Sequence, residues 1–150
     1  MEGVTDRGKD PPMLRGLTTV SFYADDLTAA QAWYTELLGV EPYFVRSVAG
    51  APAYLEFRIG DYQHELGIVD SRFAGPDRFR DAENTMTYWH VDDVEAGVER
   101  LLSLGAILHG KPVEHGPGFV TASVTDPFGN ILGVMFNQHY LDILASKAGV

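Results

Sequence analysis

Residues 19–27 read Thr-Val-Ser-Phe-Tyr-Ala-Asp-Asp-Leu, and residues 86–94 read Met-Thr-Tyr-Trp-His-Val-Asp-Asp-Val. The pairs Asp25-Asp26 and Asp92-Asp93 lie 67 residues apart. Each opens a stretch with helical spacing, and those stretches close on Leu37-Leu38-Gly39 and Leu104-Gly105. The segments after these helices repeat as well. Tyr54–Val69 carries Gly60-Asp61 and then Leu66-Gly67-Ile68, while Phe119–Phe136 carries Thr125-Asp126 and then Leu132-Gly133-Val134. Self-similarity at a fixed offset identifies two copies of one unit of about 60–70 residues.

Each copy reads as strand, helix, strands. Thr18–Tyr23 alternates and is rich in β-branched and aromatic residues, which predicts a strand. Asp25 or Asp26 suits a helix N-cap, because its carboxylate accepts from exposed amides and favours the positive helix end. Leu27, Ala30, Trp33, Tyr34, Leu37 and Leu38 form an apolar helical stripe that Gly39 ends. In the second copy Asp92 or Asp93 starts a helix with stripe Val94, Val98, Leu101 and Leu102, ended by Gly105. Tyr54–Ile59 and Tyr62–Val69 are strands joined around Gly60-Asp61. Phe119–Val124 and Asn130–Phe136 repeat that pair, joined by the turn-forming Asp126-Pro127-Phe128-Gly129-Asn130. Asp70–Asn84 reads as a linker between the modules, and His109–Gly118, with its prolines and glycines, as a loop. The expected organisation is a disordered tail over 1–13, a domain over 14–136 made of modules 14–70 and 85–136, and a tail over 137–150 in which Gln138–Lys147 forms a short helix or continues the tail. Met13 is an alternative start.

Composition narrows the function. With 45% hydrophobic and 21% charged residues the chain is of ordinary globular type. It has no cysteine, which excludes disulfides, thiolate metal sites and a cysteine nucleophile. A net charge of −10 repels phosphate backbones and anionic membranes, so neither nucleic acid nor a membrane is expected as partner. The longest apolar run, Ile131–Phe136, is too short to span a bilayer. Met1–Pro12 lacks the apolar core of a secretory signal, which points to the cytoplasm.

The chain resembles the vicinal oxygen chelate superfamily, which includes glyoxalase I, extradiol dioxygenases, and fosfomycin- and bleomycin-resistance proteins. The resemblance rests on the repeated unit, on Asp26-Leu27 with Trp33-Tyr34 and Leu38-Gly39, and on Asp126-Pro127-Phe128-Gly129-Asn130. It implies an α+β fold: two tandem βαβββ modules forming a curved mixed sheet around a cavity. It also implies a homodimer. Metal-dependent members would place one ligand on the first and one on the last strand of each module. The first-strand positions, seven residues before the helix-opening Asp, hold Thr19 and Met86. The last-strand position falls on Gly133 in the second module and on Glu65 in the first, although the repeat aligns Gly67 with Gly133 and Glu65 with Ile131. Thr, Met and Gly are not donors a divalent cation selects, so no metal is expected at these positions. A rebuilt two-His-one-carboxylate set from His90, His115 and Glu65 is the remaining alternative. Otherwise His64 reads as a half-buried strand residue, and His109 and His115 as loop residues.

Alternation sorts the strand residues into two faces. Val20, Phe22, Leu55, Phe57, Ile59, Leu66, Ile68, Trp89, Val91, Val120, Ala122, Val124, Leu132, Val134 and Phe136 form an apolar face that should pack on the helices. The opposite face carries Thr19, Ser21, Tyr23, Tyr54, Glu56, Arg58, Gln63, Glu65, Gly67, Met86, Tyr88, His90, Phe119, Thr121, Ser123, Ile131, Gly133 and Met135. It is aromatic with few charges, as in a concave organic-ligand site, rather than charged throughout as a solvated face would be. Gly67 and Gly133 would leave room on its floor. Arg58 is a candidate partner for Glu56. Glu65 or Glu56, set among aromatic rings, and His90 are candidate acid–base groups. The expected function is therefore a metal-free small-molecule binding protein. The alternatives are a glyoxalase-type lyase or dioxygenase, with a rebuilt metal site or with Glu65 and His90 as catalytic residues, and a subunit whose mixed face is covered by a partner.

Overall fold

The computed structural model describes residue 15, residues 17–73 and residues 86–148. The expected N-terminal tail, and the linker beyond Phe73, lie outside the described residues. The chain runs β1 (Thr19–Ala24), α1 (Leu27–Leu38), β2 (Phe44–Val48), β3 (Ala51–Ile59), β4 (His64–Asp70), a short 3-10 turn, β5 (Tyr88–His90), α2 (Val94–Ser103), β6 (Ile107–Gly116), β7 (Phe119–Thr125), β8 (Ile131–Asn137) and α3 (Gln138–Ala148). This is βαβββ twice, with a helix added at the end.

Each module forms a mixed four-stranded sheet, ordered β1-β4-β3-β2 and β5-β8-β7-β6. The first and last strands of each module pair in parallel, and the rest pair antiparallel. The helix after the first strand carries the chain to the far edge of the sheet, so that the last strand returns parallel to the first, whereas tight turns make the remaining neighbours antiparallel. The second aspartate of each pair is the N-cap: Asp26 accepts from the Ala29 amide and Asp93 from the Ala96 amide, both at 3.0 Å. Gly39, at φ 71°, takes the left-handed conformation that closes α1.

The apolar face is as the alternation predicts. Phe22, Leu55, Phe57, Leu66, Ile68, Ala122, Val124, Leu132 and Val134 are buried with the helix residues Leu27, Ala30, Tyr34, Val94, Val98 and Leu101, and the remaining apolar-face residues pack against them. One core spans both modules. The motif over 126–130 fastens them together. Buried Asp126 accepts from the amides of Phe128 and Asn130, from the Asn130 side chain, and from the Tyr34 hydroxyl of α1 at 2.5 Å. The Asn130 side chain also bonds both the amide and the carbonyl of Tyr23 in β1. On the helix side, Trp33 Nε1 donates to the Leu104 carbonyl at 2.7 Å.

The structure corrects two expectations and decides a third. His109–Gly118 is not a loop: residues 107–116 form edge strand β6, whose three register irregularities accommodate Gly110 and Pro112. The hairpin turn after Ile59 extends to Gln63, whose φ of 55° takes it out of the strand and off the mixed face. Of the two readings of Gln138–Lys147 the helix is the one observed: Gln138–Ala148 is α3, tied to the first module by a hydrogen bond from Tyr140 to Asp61.

Candidate functional site

Register places the mixed-face residues beside one another. Thr19 opposes Glu65, Ser21 opposes Gly67, Arg58 opposes Glu65 and Glu56 opposes Gly67. Tyr88 opposes Gly133 in the second module, so Gly67 corresponds to Gly133 and Glu65 to Ile131. Thr19 donates to Glu65 Oε2 at 2.9 Å, and the Arg58 guanidinium pairs with Glu65 Oε1 at 3.3 Å. The expected pairing of Arg58 with Glu56 is thus corrected: the two sit two positions apart on β3, while Glu65 is directly across. Arg58 also covers the Tyr43 ring at 4.3 Å, and its Nε has no partner among the described residues. Glu56 instead accepts from the Tyr54 hydroxyl at 3.1 Å. Burial first, then that hydrogen bond, pushes the Tyr54 hydroxyl up to about 12.

The two glycines do not leave an open floor. A Cβ on Gly67 would lie 2.6 Å from the Tyr54 hydroxyl, and one on Gly133 would lie 2.5 Å from the Thr87 carbonyl and 2.7 Å from the Tyr88 ring. In both modules a tyrosine ring covers a glycine, so the floor is aromatic. Around Tyr88 the second module adds Thr121 opposite Met135, and Phe119, which meets the His115 ring edge-on at 5.3 Å. Met86 and Tyr23 are half-buried, and Ser21 is exposed. Ser123 is buried and bonded to His109 at 2.9 Å.

His90 stands apart from Glu65. Its ring stacks on Tyr140 of α3, with centroids 4.5 Å apart and planes 8° from parallel. Its Nδ1 accepts from the Asn137 amide and its Nε2 faces Asp92, each at 3.3 Å. Tyr140 in turn donates to Asp61 at 2.7 Å and meets Tyr62 edge-on. Burial first, then Asp61, pushes the Tyr140 hydroxyl up to about 12. These residues border a cavity of about 270 Å3 that joins the modules: Gly60, Asp61 and His64 from the first, Tyr88, His90, Met135 and Asn137 from the second, and Tyr140. Glu65 is not in its lining, so the expected Glu65–His90 pair is not assembled there. Sequence reasoning misses Tyr140 and Asp61, because nothing in the sequence ties a C-terminal segment to a hairpin 79 residues away.

The donor set does not fit the metal that the resemblance implies. Thr19, Met86 and Ile131 or Gly133 supply no imidazole or carboxylate, and both oxygens of Glu65 are engaged. Among the described residues no three His, Asp or Glu side chains gather as a metal site, so His90, His115 and Glu65 do not form the alternative triad. His115 lies on β6, bonded to Thr121.

The family model described as Glyoxalase/Bleomycin resistance protein/Dioxygenase superfamily matches residues 16–134. The chain belongs to this superfamily. Solved structures share the fold. A glyoxalase-related enzyme from Fulvimarina pelagi is 21% identical, with TM-score 0.59 over 83% of this chain and 90% of that one. A lactoylglutathione lyase from Agrobacterium tumefaciens is 22% identical, with TM-score 0.59 over 87% and 98%. A glyoxalase/bleomycin resistance protein from Streptomyces sp. CB03234 is 22% identical, with TM-score 0.58 over 79% and 98%. At these identities the likeness extends to the fold of this superfamily and no further. No curated protein matches the sequence. Among the described residues no helix is long and apolar enough to cross a membrane.

Proposed function

We propose that this superfamily member binds a small organic molecule between its two modules, without a divalent metal. The observation that carries this reading is the cavity lined by Tyr88, Trp89, His90 and Tyr140 with Asp61 at its edge. A concave wall of apolar and aromatic side chains with a few polar groups is the usual form of an organic-ligand site. One carboxylate among aromatic rings, on a chain of net charge −10, suits a cationic aromatic compound. The working form is proposed to be a homodimer, and its place of action the cytoplasm.

The test is a calorimetric titration of the full chain with a panel of cationic aromatic compounds. At least one should bind saturably, and Tyr88→Ala and Met135→Trp should each weaken it, the first by removing a wall and the second by filling the space. No saturable binding across the panel, or binding indifferent to both substitutions, would remove the proposal.

A further inference from the structure

A second cavity lies on the opposite, helix-facing side of the sheets. It encloses about 300 Å3 between α1 and α2 and is walled by Leu37, Leu38, Leu66, Leu101, Leu132 and Val134. It touches the first cavity only through Ile59, Trp89 and His90. The cavity opens to solvent on one side and its walls are mainly apolar, so water inside it is poorly bonded and an apolar group gains by displacing it. An apolar occupant satisfies the walls.

The guanidinium in the lining is that of Arg100, one turn from the end of α2. It lines the cavity yet is exposed, so it marks where the cavity meets solvent. Its Nη2 donates only a long 3.4 Å bond to the Glu36 carbonyl, and it has no carboxylate partner among the described residues. Among the described residues no Asp or Glu lines this cavity, although the chain carries 21 of them. A guanidinium at the mouth of an apolar chamber matches a carboxylate on a hydrocarbon body, since the planar fork can take both oxygens. We propose that the chamber between α1 and α2 is a second ligand site, for an amphipathic carboxylate whose apolar part fills the space and whose head group pairs with Arg100.

Gly97 provides the decisive variant. It lies on the cavity wall, and the atoms nearest to a Cβ there would be those of the Val91 side chain, at 3.7 Å or more. Gly97→Leu therefore projects into the cavity while removing a helix-interior glycine. The probes are octanoate and octan-1-ol, titrated calorimetrically into the full chain. The wild type should bind both. Arg100→Ala should weaken octanoate by about tenfold or more and leave octan-1-ol within about twofold, since only the acid uses the charge. Gly97→Leu, and independently Leu38→Trp from the α1 side, should abolish both while leaving the circular dichroism spectrum unchanged. Tyr88→Ala should leave octanoate binding unchanged, which separates this site from the first cavity. A wild type that takes up neither probe, filled variants that bind as the wild type does, or an Arg100→Ala protein that treats acid and alcohol alike would overturn the assignment.

Discussion

Glu65 and Thr19 stand directly opposite one another on β4 and β1, joined by a 2.9 Å hydrogen bond. Arg58 holds the other carboxylate oxygen from β3. The three side chains form a short polar network across β1, β4 and β3, in which Arg58 Nε alone has no partner among the described residues. The pair Arg58–Glu65 is partly exposed, with side chains 37% and 24% accessible, and such pairs contribute little. Glu65→Gln should therefore cost no more than about 1 kcal/mol in urea unfolding, and the loss should shrink at high salt. A cost several times larger would mean that Glu65 supports the fold.

The clasp between modules is a different matter. Tyr34 and Asp126 are both buried, at 1% and 3% exposure. Tyr34→Phe removes one donor from a buried carboxylate and should destabilise by about 1–3 kcal/mol. Asp126→Ala should cost more, because it also strands the Phe128 and Asn130 amides and releases Asn130 from Tyr23. Equal effects in denaturant titrations would contradict the view that Asp126 is the centre of the clasp.

Alkaline pH should weaken the fold. Burial, and then the charge and hydrogen bond of Asp126, raises the Tyr34 hydroxyl well above 10, while Tyr54 and Tyr140 stand at about 12. The unfolded chain releases these protons near 10 and the folded chain holds them. The folded state thus binds more protons, so this stabilisation is complete below about pH 10 and is lost as pH rises toward and past about 12. The urea midpoint should fall over that window, less steeply in Tyr34→Phe. A midpoint that stays flat, or a Tyr34→Phe protein as sensitive as the wild type, would contradict the assignment.

The two glycines should respond differently to alanine. At Gly67 the obstructing atoms belong to the Tyr54 side chain, which can swing away. At Gly133 the nearest atom is the Thr87 carbonyl at 2.5 Å, the acceptor for the Gly133 amide. Gly133→Ala should cost about 1–3 kcal/mol, the usual range for overpacking, and Gly67→Ala less. The reverse order in thermal unfolding would show that the Tyr54 platform is the more rigid.

Much of the fold is legible in the sequence, for identifiable reasons. The Asp pairs mark helix starts because a carboxylate side chain satisfies free amides, and strict alternation separates the buried face from the mixed one. Strand β2 escapes notice because all five residues are exposed and its turn uses Ala49, at φ 52°, where Asn or Asp is usual. β6 escapes because Gly110 and Pro112 signal a loop, although edge strands tolerate both. At the site, the partner of Arg58 depends on register, which is set by where the Gly60–Gln63 turn ends. The closing of the cavity by Tyr140 depends on a contact across 79 residues that no local pattern encodes.

The central claim is a ligand site that works without a divalent metal. Its most direct test is metal content by mass spectrometry, on protein purified without chelator or nickel resin and then exposed to Zn2+, Mn2+, Ni2+ and Fe2+. The donor chemistry at Thr19, Glu65, Met86 and Gly133 predicts retention far below one equivalent of each, with ligand binding unchanged by a chelator. Retention near one equivalent, lost in Glu65→Gln or His90→Ala, would contradict the account and make a metal-dependent enzyme the better reading.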